Sequence, residues 1–146
     1  MKVSSQTQAE MLRDTLLGQW RLEREVDDRL TGQVVTLVGT ASFTPSDRGL
    51  LQRDAGQLCL PDGQRIEAAQ SYIWRFGTHK AWVDYADGRP FIALSAPFGE
   101  VDSAHLCGDD YYNVRFDFRA PRRWTSVWQV QGPRKNYVMQ SAYCRA

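Results

Sequence analysis

The residues best able to do chemistry in this sequence are charged or titratable side chains that stand where an alternating pattern calls for apolar ones. Between Trp20 and Asp28 the chain alternates Trp20, Leu22, Arg24, Val26 and Asp28 with Arg21, Glu23, Glu25 and Asp27. Successive strand residues point to opposite faces, so Arg24 is expected on the face that Trp20 and Leu22 bury. A buried, unpaired charge is costly. Arg24 must therefore either meet a carboxylate inside the fold, or line a solvated cavity and meet an anionic or carbonyl group of a ligand. Asp28 lies nearer an end and can simply be wet.

A second group surrounds His105. If residues 104–118 form one long strand, the parity of His105 disagrees with that of Tyr112, Val114, Phe116 and Phe118. A one-residue bulge at Gly108-Asp109 restores it, and bulges often re-aim side chains at sites. His105, Cys107, Asp110 and Tyr112 would then share a face. A histidine, a carboxylate and a phenol aimed into one cavity can exchange protons with a substrate, which makes His105, Asp110 and Tyr112 catalytic candidates. The plainer reading makes His105 a hydrogen-bonded structural residue near a rim and Asp109-Asp110 turn residues. Tyr72, Trp74, His105, Tyr112 and Trp128, with Arg24, are the candidate ligand-binding set; ordinary core is the alternative for the aromatics. His79 sits in a turn and reads as surface. Metal is not expected, because His105 with Asp109 or Asp110 supplies too few ligands and the cysteines lack paired spacing.

These residues need elements to hold them. Residues 5–17 carry the one helical pattern. Thr7 and Glu10 fit a capping box, Leu12 and Leu16 lie one turn apart, and Gly18 suits the position just past the helix end. From Trp20 onward the period is two. Turn signals stand at Thr31-Gly32, residues 45–49, Pro61-Asp62-Gly63, Gly77-Thr78-His79, Asp87-Gly88, residues 119–123 and residues 132–135. Residues 96–103 read as a longer loop, and Gly56 as a bend or bulge. Short strands with such regular turns mark a sandwich or barrel. The local, hairpin-like connections favour an all-β fold: an antiparallel up-and-down barrel of about eight to ten strands with a short N-terminal helix against one mouth. One domain, residues 1–146, accounts for the whole chain.

The composition suits that fold. The 146 residues include five Trp, six Tyr and six Phe, and 42% are hydrophobic. The formal net charge of +1 gives no electrostatic case for nucleic acid or an anionic membrane as partner. No apolar stretch approaches the ~18 residues of a spanning helix, and the N-terminus does not read as a signal peptide. Cys59, Cys107 and Cys144 then read as reduced thiols in a cytoplasmic protein.

Gly18-Gln19-Trp20 after a short helix resembles the G-x-W signature that opens the first strand of lipocalins and related calycin barrels. In that family a late basic residue packs across the tryptophan, and the resemblance implies this role for Arg134 beside the structural residues Gly18 and Trp20. Residues 17–20, 87–91, 105–112 and 132–137 also resemble an uncharacterised bacterial family of small lipocalin-like domains. That family implies the barrel and no particular activity. Haem-binding nitrobindin-type barrels are related in shape, but their proximal histidine lies near the C-terminus. No histidine follows His105 here, so haem is disfavoured and no cofactor is expected.

The leading expectation is a non-catalytic barrel that holds a small apolar or aromatic molecule, its polar end at Arg24. A barrel enzyme of isomerase, cyclase or decarboxylase type is the second, using His105, Asp110, Tyr112 and Arg24. The third is a protein-interaction domain with a filled interior, for which outward Ile73, Trp82 and Ile92 would speak and in which a homodimer is the natural assembly.

Overall fold

The computed structural model describes residues 7–95 and 97–145. Residues 5 and 6, where the helical pattern begins, lie outside the described residues. A helix, α1 (Gln8–Leu16), is followed by ten strands: β1 (Gly18–Asp28), β2 (Gln33–Ser46), β3 (Gly49–Cys59), β4 (Arg65–Phe76), β5 (Lys80–Tyr85), β6 (Pro90–Ser95), β7 (Glu100–Cys107), β8 (Asp110–Ala120), β9 (Arg123–Gly132) and β10 (Lys135–Cys144). All are antiparallel neighbours in the order β6-β5-β4-β3-β2-β1-β10-β9-β8-β7. Strands consecutive in sequence are therefore hairpins, and β1 pairs with β10 to bring the chain ends together. At the remaining seam between β6 and β7, the Ser103 hydroxyl donates to the Ala93 carbonyl at 2.7 Å. The result is a nearly closed up-and-down barrel. All ten strands belong to one sheet.

The helix begins as its sequence directs. The Thr7 hydroxyl accepts from the Glu10 N–H at 3.1 Å, which satisfies a backbone donor that has no partner within the helix. Ala9, Leu12 and Leu16 are fully buried, so α1 stops one end of the barrel with its apolar stripe. The Trp20 indole N–H donates to the Leu16 carbonyl at 2.8 Å and ties β1 to the last turn of the helix. Gly18 sits at φ 116°, a conformation that costs glycine little.

The structure differs from the sequence reading in several details. Residues 104–118 are two strands, because Gly108, at φ 62°, makes a tight turn with Asp109 between paired Cys107 and Asp110. His105 then faces Tyr112 as its direct cross-strand partner, and no bulge at Gly108-Asp109 is needed. The expected loop is shorter too, since β7 already begins at Glu100. Gly56 makes no bulge: it lies opposite Gly39 in unbroken register, and a Cβ on either would run into backbone of the facing strand. Of the three outward apolar residues expected, Ile73 is half-buried. Ile92 is buried, while Trp82 is half-buried with the Arg75 guanidinium over its ring at 4.9 Å.

The clamp on Trp20 comes from a different residue. Arg145, just past β10, lies 3.8 Å over the indole and donates to the carbonyls of Gln19, Thr15 and Leu17 at 3.0, 2.6 and 2.6 Å. Arg134 stands exposed in the β9–β10 turn at the opposite end of the barrel. The contact needs a late arginine at the helix end of the wall, and β10 carries the chain there only after Arg134.

Candidate functional site

The inward residues form three layers along the barrel axis. Against the helix, Trp20, Phe43, Trp124, Phe116 and Phe118 pack in edge-on, tilted and stacked contacts with ring centroids 5.4–6.3 Å apart. All are buried, and this layer is core.

The middle layer is polar. Arg24 of β1 and Asp54 of β3 form an ion pair at 2.7 Å, with side chains 9% and 2% exposed. They are not on neighbouring strands. The pair reaches across β2, whose Gly39 and Ala41 face Leu22 and Trp20 on one side and Gly56 and Asp54 on the other. Small residues there leave room for the crossing. The Arg24 Nε donates to Ser141 at 2.8 Å, and its Nη2 also reaches the Tyr143 hydroxyl at 2.9 Å. Tyr143 donates to Asp54 at 3.1 Å. Gln52 donates to the other Asp54 oxygen at 2.9 Å and accepts from the Trp74 indole N–H at 2.7 Å. Burial works against the Arg24 charge, but Tyr143 and Asp54 more than offset it and hold the guanidinium charged. Burial pushes the phenols of Tyr143 and Tyr72 up, out of the usual range. The layer is thus a charge-balanced, hydrogen-bonded network. Of the two readings open for Arg24, the internal carboxylate is the one realised.

The mouth layer is aromatic again. Phe91 stacks on Tyr85 at 4.5 Å and on Trp128 at 5.2 Å, and meets His105 and Tyr112 edge-on. Phe91 is buried, yet Tyr72, Tyr85, His105, Tyr112, Trp128, Tyr137 and Met139 are only half-buried. At the rim the Lys135 ammonium donates to the Tyr112 hydroxyl at 2.9 Å and lies 3.5 Å from Asp110. The Tyr112 hydrogen bond is the main reason its pKa is raised.

At the polar layer lies a cavity of about 30 Å³, lined by Arg24, Asp54 and Tyr143 of that layer, by Ser126, by Trp124 and Phe116 on the helix side and by Tyr72 and Trp128 on the mouth side. That is far below the ~300–1,000 Å³ of an ordinary small-molecule pocket. Side chains fill most of the interior, and any larger ligand body must sit at the mouth. A wider concavity of about 690 Å³ lies on the barrel's outer wall, over outward residues such as Glu23, Glu25, Val38 and Thr125. It has no aromatic lining.

Of the predicted ligand-binding residues, the structure brings Arg24, Tyr72, Trp74 and Trp128 around one cavity. His105 and Tyr112 stand together at the mouth. No hydrogen bond, ion pair or ring contact among the described residues joins either to Arg24. Asp110 is turned to Lys135 rather than to His105. The set His105, Asp110, Tyr112 and Arg24 is therefore not assembled as one acid–base centre. Asp54, Gln52 and Ser141 were missed as site residues. Their signal was present: Leu50, Gln52 and Asp54 alternate on one face of β3, just as Trp20, Leu22 and Arg24 do on β1. Among the described residues, no group of three or more His, Cys, Asp or Glu is placed to hold a metal, and no helix is long and apolar enough to cross a membrane.

Residues 16–145 match the family model described as "Family of unknown function (DUF6314)". The chain belongs to the DUF6314 family. Among curated protein sequences, none matches it significantly. This DUF6314 barrel is similar in fold to the S-type phycobiliprotein lyase CPES from Guillardia theta, with a TM-score of 0.63 at 10% identity over 94% of this chain and 92% of that one. It is also similar to a DUF3598-family protein of unknown function from Nostoc punctiforme. There the TM-score is 0.54 at 11% identity, over 90% of this chain and 47% of that one. At such identities the likeness is one of fold alone, that of a lipocalin-like barrel.

Proposed function

We propose that this DUF6314 protein is a small-molecule-binding barrel. It takes an apolar or aromatic ligand at the open mouth, with an anionic or carbonyl group directed down towards Arg24. The observation that carries this reading is the ring of half-buried aromatics at the mouth, set directly above a buried hydrogen-bonded network. Aromatic surface left partly exposed gains about 25 cal/mol per Å² when a ligand covers it, and a few directed polar groups beneath it fix the ligand's orientation. The outer wall has neither property.

The test is native mass spectrometry of the purified protein with a dye-displacement screen of aromatic compounds. Bound small molecules are expected, with affinity lost at least tenfold in Tyr85→Ala or Trp128→Leu and kept in Val38→Arg on the outer wall. Absence of any ligand, or loss in Val38→Arg alone, overturns the reading.

A further inference from the structure

The cavity beneath the mouth, rather than the rim, selects the ligand's polar group. We propose that it is a subsite for one neutral hydrogen-bond acceptor, a ketone-type or ring carbonyl oxygen on a flat aromatic molecule, and that it discriminates against carboxylates. This rests on the small-molecule-binding reading above and names the ligand class for it.

Three observations carry the inference. The first is the inventory of unused donors. The Arg24 guanidinium spends Nε on Ser141 and Nη2 on Asp54 and Tyr143, while Nη1 makes no hydrogen bond to a described residue. The Tyr72 phenol and the Ser126 hydroxyl make none either, although Ser126 is only 2% exposed. All three residues line the same cavity. Among the described residues the Trp124 indole N–H is buried without a partner, and Trp124 lines this cavity as well. Buried polar groups are normally hydrogen-bonded, so that indole, with the Ser126, Tyr72 and Arg24 donors beside it, describes a place where an acceptor belongs.

The second observation is charge. Asp54, 2.7 Å from Arg24, already neutralises the guanidinium. A carboxylate entering beside it would meet Asp54 as a second, unbalanced negative charge in a water-poor space, which is costly. A neutral carbonyl accepts from the same donors without adding charge. Tyr72 points the same way: its phenol, held protonated chiefly by burial, donates and does not need a charged partner.

The third is size. A cavity of about 30 Å³ exceeds the roughly 10–15 Å³ that one water needs and is far below the ~300 Å³ of a pocket for a whole ring system. It admits a carbonyl group and excludes the ring that bears it. The ring is then left at the level of Tyr72, Tyr85 and Trp128, whose side chains are partly exposed.

Three probes with the same ring system separate the terms: naphthalene, 2-acetylnaphthalene and 2-naphthoate, titrated against the purified protein by tryptophan fluorescence and calorimetry at pH 7.5. Expected is an order 2-acetylnaphthalene, then naphthalene, then 2-naphthoate, with the ketone at least tenfold tighter than the carboxylate. Ser126→Ala and Tyr72→Phe should each lower the ratio of ketone to naphthalene affinity several-fold, while Val38→Arg on the outer wall leaves all three affinities unchanged. The two cavity variants retain the Arg24–Asp54 pair, and a circular-dichroism melt confirms folding. If naphthalene binds but the ketone gains nothing over it, or 2-naphthoate binds most tightly, the neutral-acceptor subsite is overturned while the binding barrel stands. If no probe binds, the binding reading itself falls and the subsite with it.

Discussion

Arg24 and Asp54 hold opposite charges 2.7 Å apart in a place that water scarcely reaches. Such a pair gains little over an apolar pair of the same volume, because desolvation of both ions offsets their attraction. Breaking it is another matter, since one ion is then left buried alone. Asp54→Ala should therefore destabilise the protein by about 3–5 kcal/mol, and the double variant Arg24→Met/Asp54→Leu by clearly less. Urea melts of the two variants measure the difference; equal losses would show that the pair does not act as a unit. Half of this pair was legible in the sequence. The alternation of β1 puts Arg24 inside, and the same alternation in β3 offers Gln52 and Asp54. What alternation does not give is partnership. Asp54 meets Arg24 only because the pair reaches across an intervening strand whose Gly39 and Ala41 are small. That contact depends on two registers together, which no single stretch of sequence encodes.

At the scale of elements, the helix, the start of β1 and the end of β10 form one unit. Arg145 joins them by lying over Trp20 and bonding three carbonyls, two of which belong to the last turn of α1 and the residue after it. A cation over an indole contributes ~0.5–2 kcal/mol, and hydrogen bonds from a charged donor are stronger than neutral ones. Arg145→Ala should cost about 2 kcal/mol and speed amide exchange across residues 8–16. Arg145→Lys should not restore protection, because an ammonium lacks the planar fork that spans these carbonyls. Arg134→Ala, at the far end of the barrel, should leave exchange in α1 unchanged, and the reverse result would return the clamp to Arg134. Gly18→Ala should copy the Arg145 defect, since its Cβ would stand 2.7 Å from the Arg145 Nη1 at a positive φ. The G-x-W motif, the helix cap and the strand–turn rhythm were readable because each is local. Which late arginine reaches the tryptophan was not, because it depends on the end of the wall at which each one stands. The His105 parity conflict was likewise a turn misread as a bulge, as Gly108 serves either purpose until Cys107 and Asp110 are seen to pair.

At the scale of the whole molecule, closing the sheet buries phenols as well as indoles. Tyr72, Tyr85, Tyr137 and Tyr143 all have raised pKa values, with burial the largest cause in each case. The sequence predicted an aromatic interior from its composition and alternation. It did not separate the buried layer at the helix from the half-wet layer at the mouth, because both alternate alike; only the position of α1 at one end distinguishes them. The phenols set an alkaline limit on the barrel, and the sign follows from linkage. Below about pH 10 the folded and unfolded chains both keep these protons, and their full contribution to stability is present. As pH rises past that value, the unfolded phenols ionise while the folded ones still hold their protons. The unfolded state is then favoured, by up to about 1.4 kcal/mol per pH unit for each phenol affected, until the folded pKa is passed. Denaturant melts between pH 8 and pH 11 should thus show stability falling with increasing slope above pH 10. Tyr143→Phe should start lower, having lost its bonds to Asp54 and Arg24, but fall less steeply, by about one proton's worth of slope. A flat profile through pH 11, or an unchanged slope in Tyr143→Phe, would mean that these phenols ionise as freely in the barrel as in the unfolded chain.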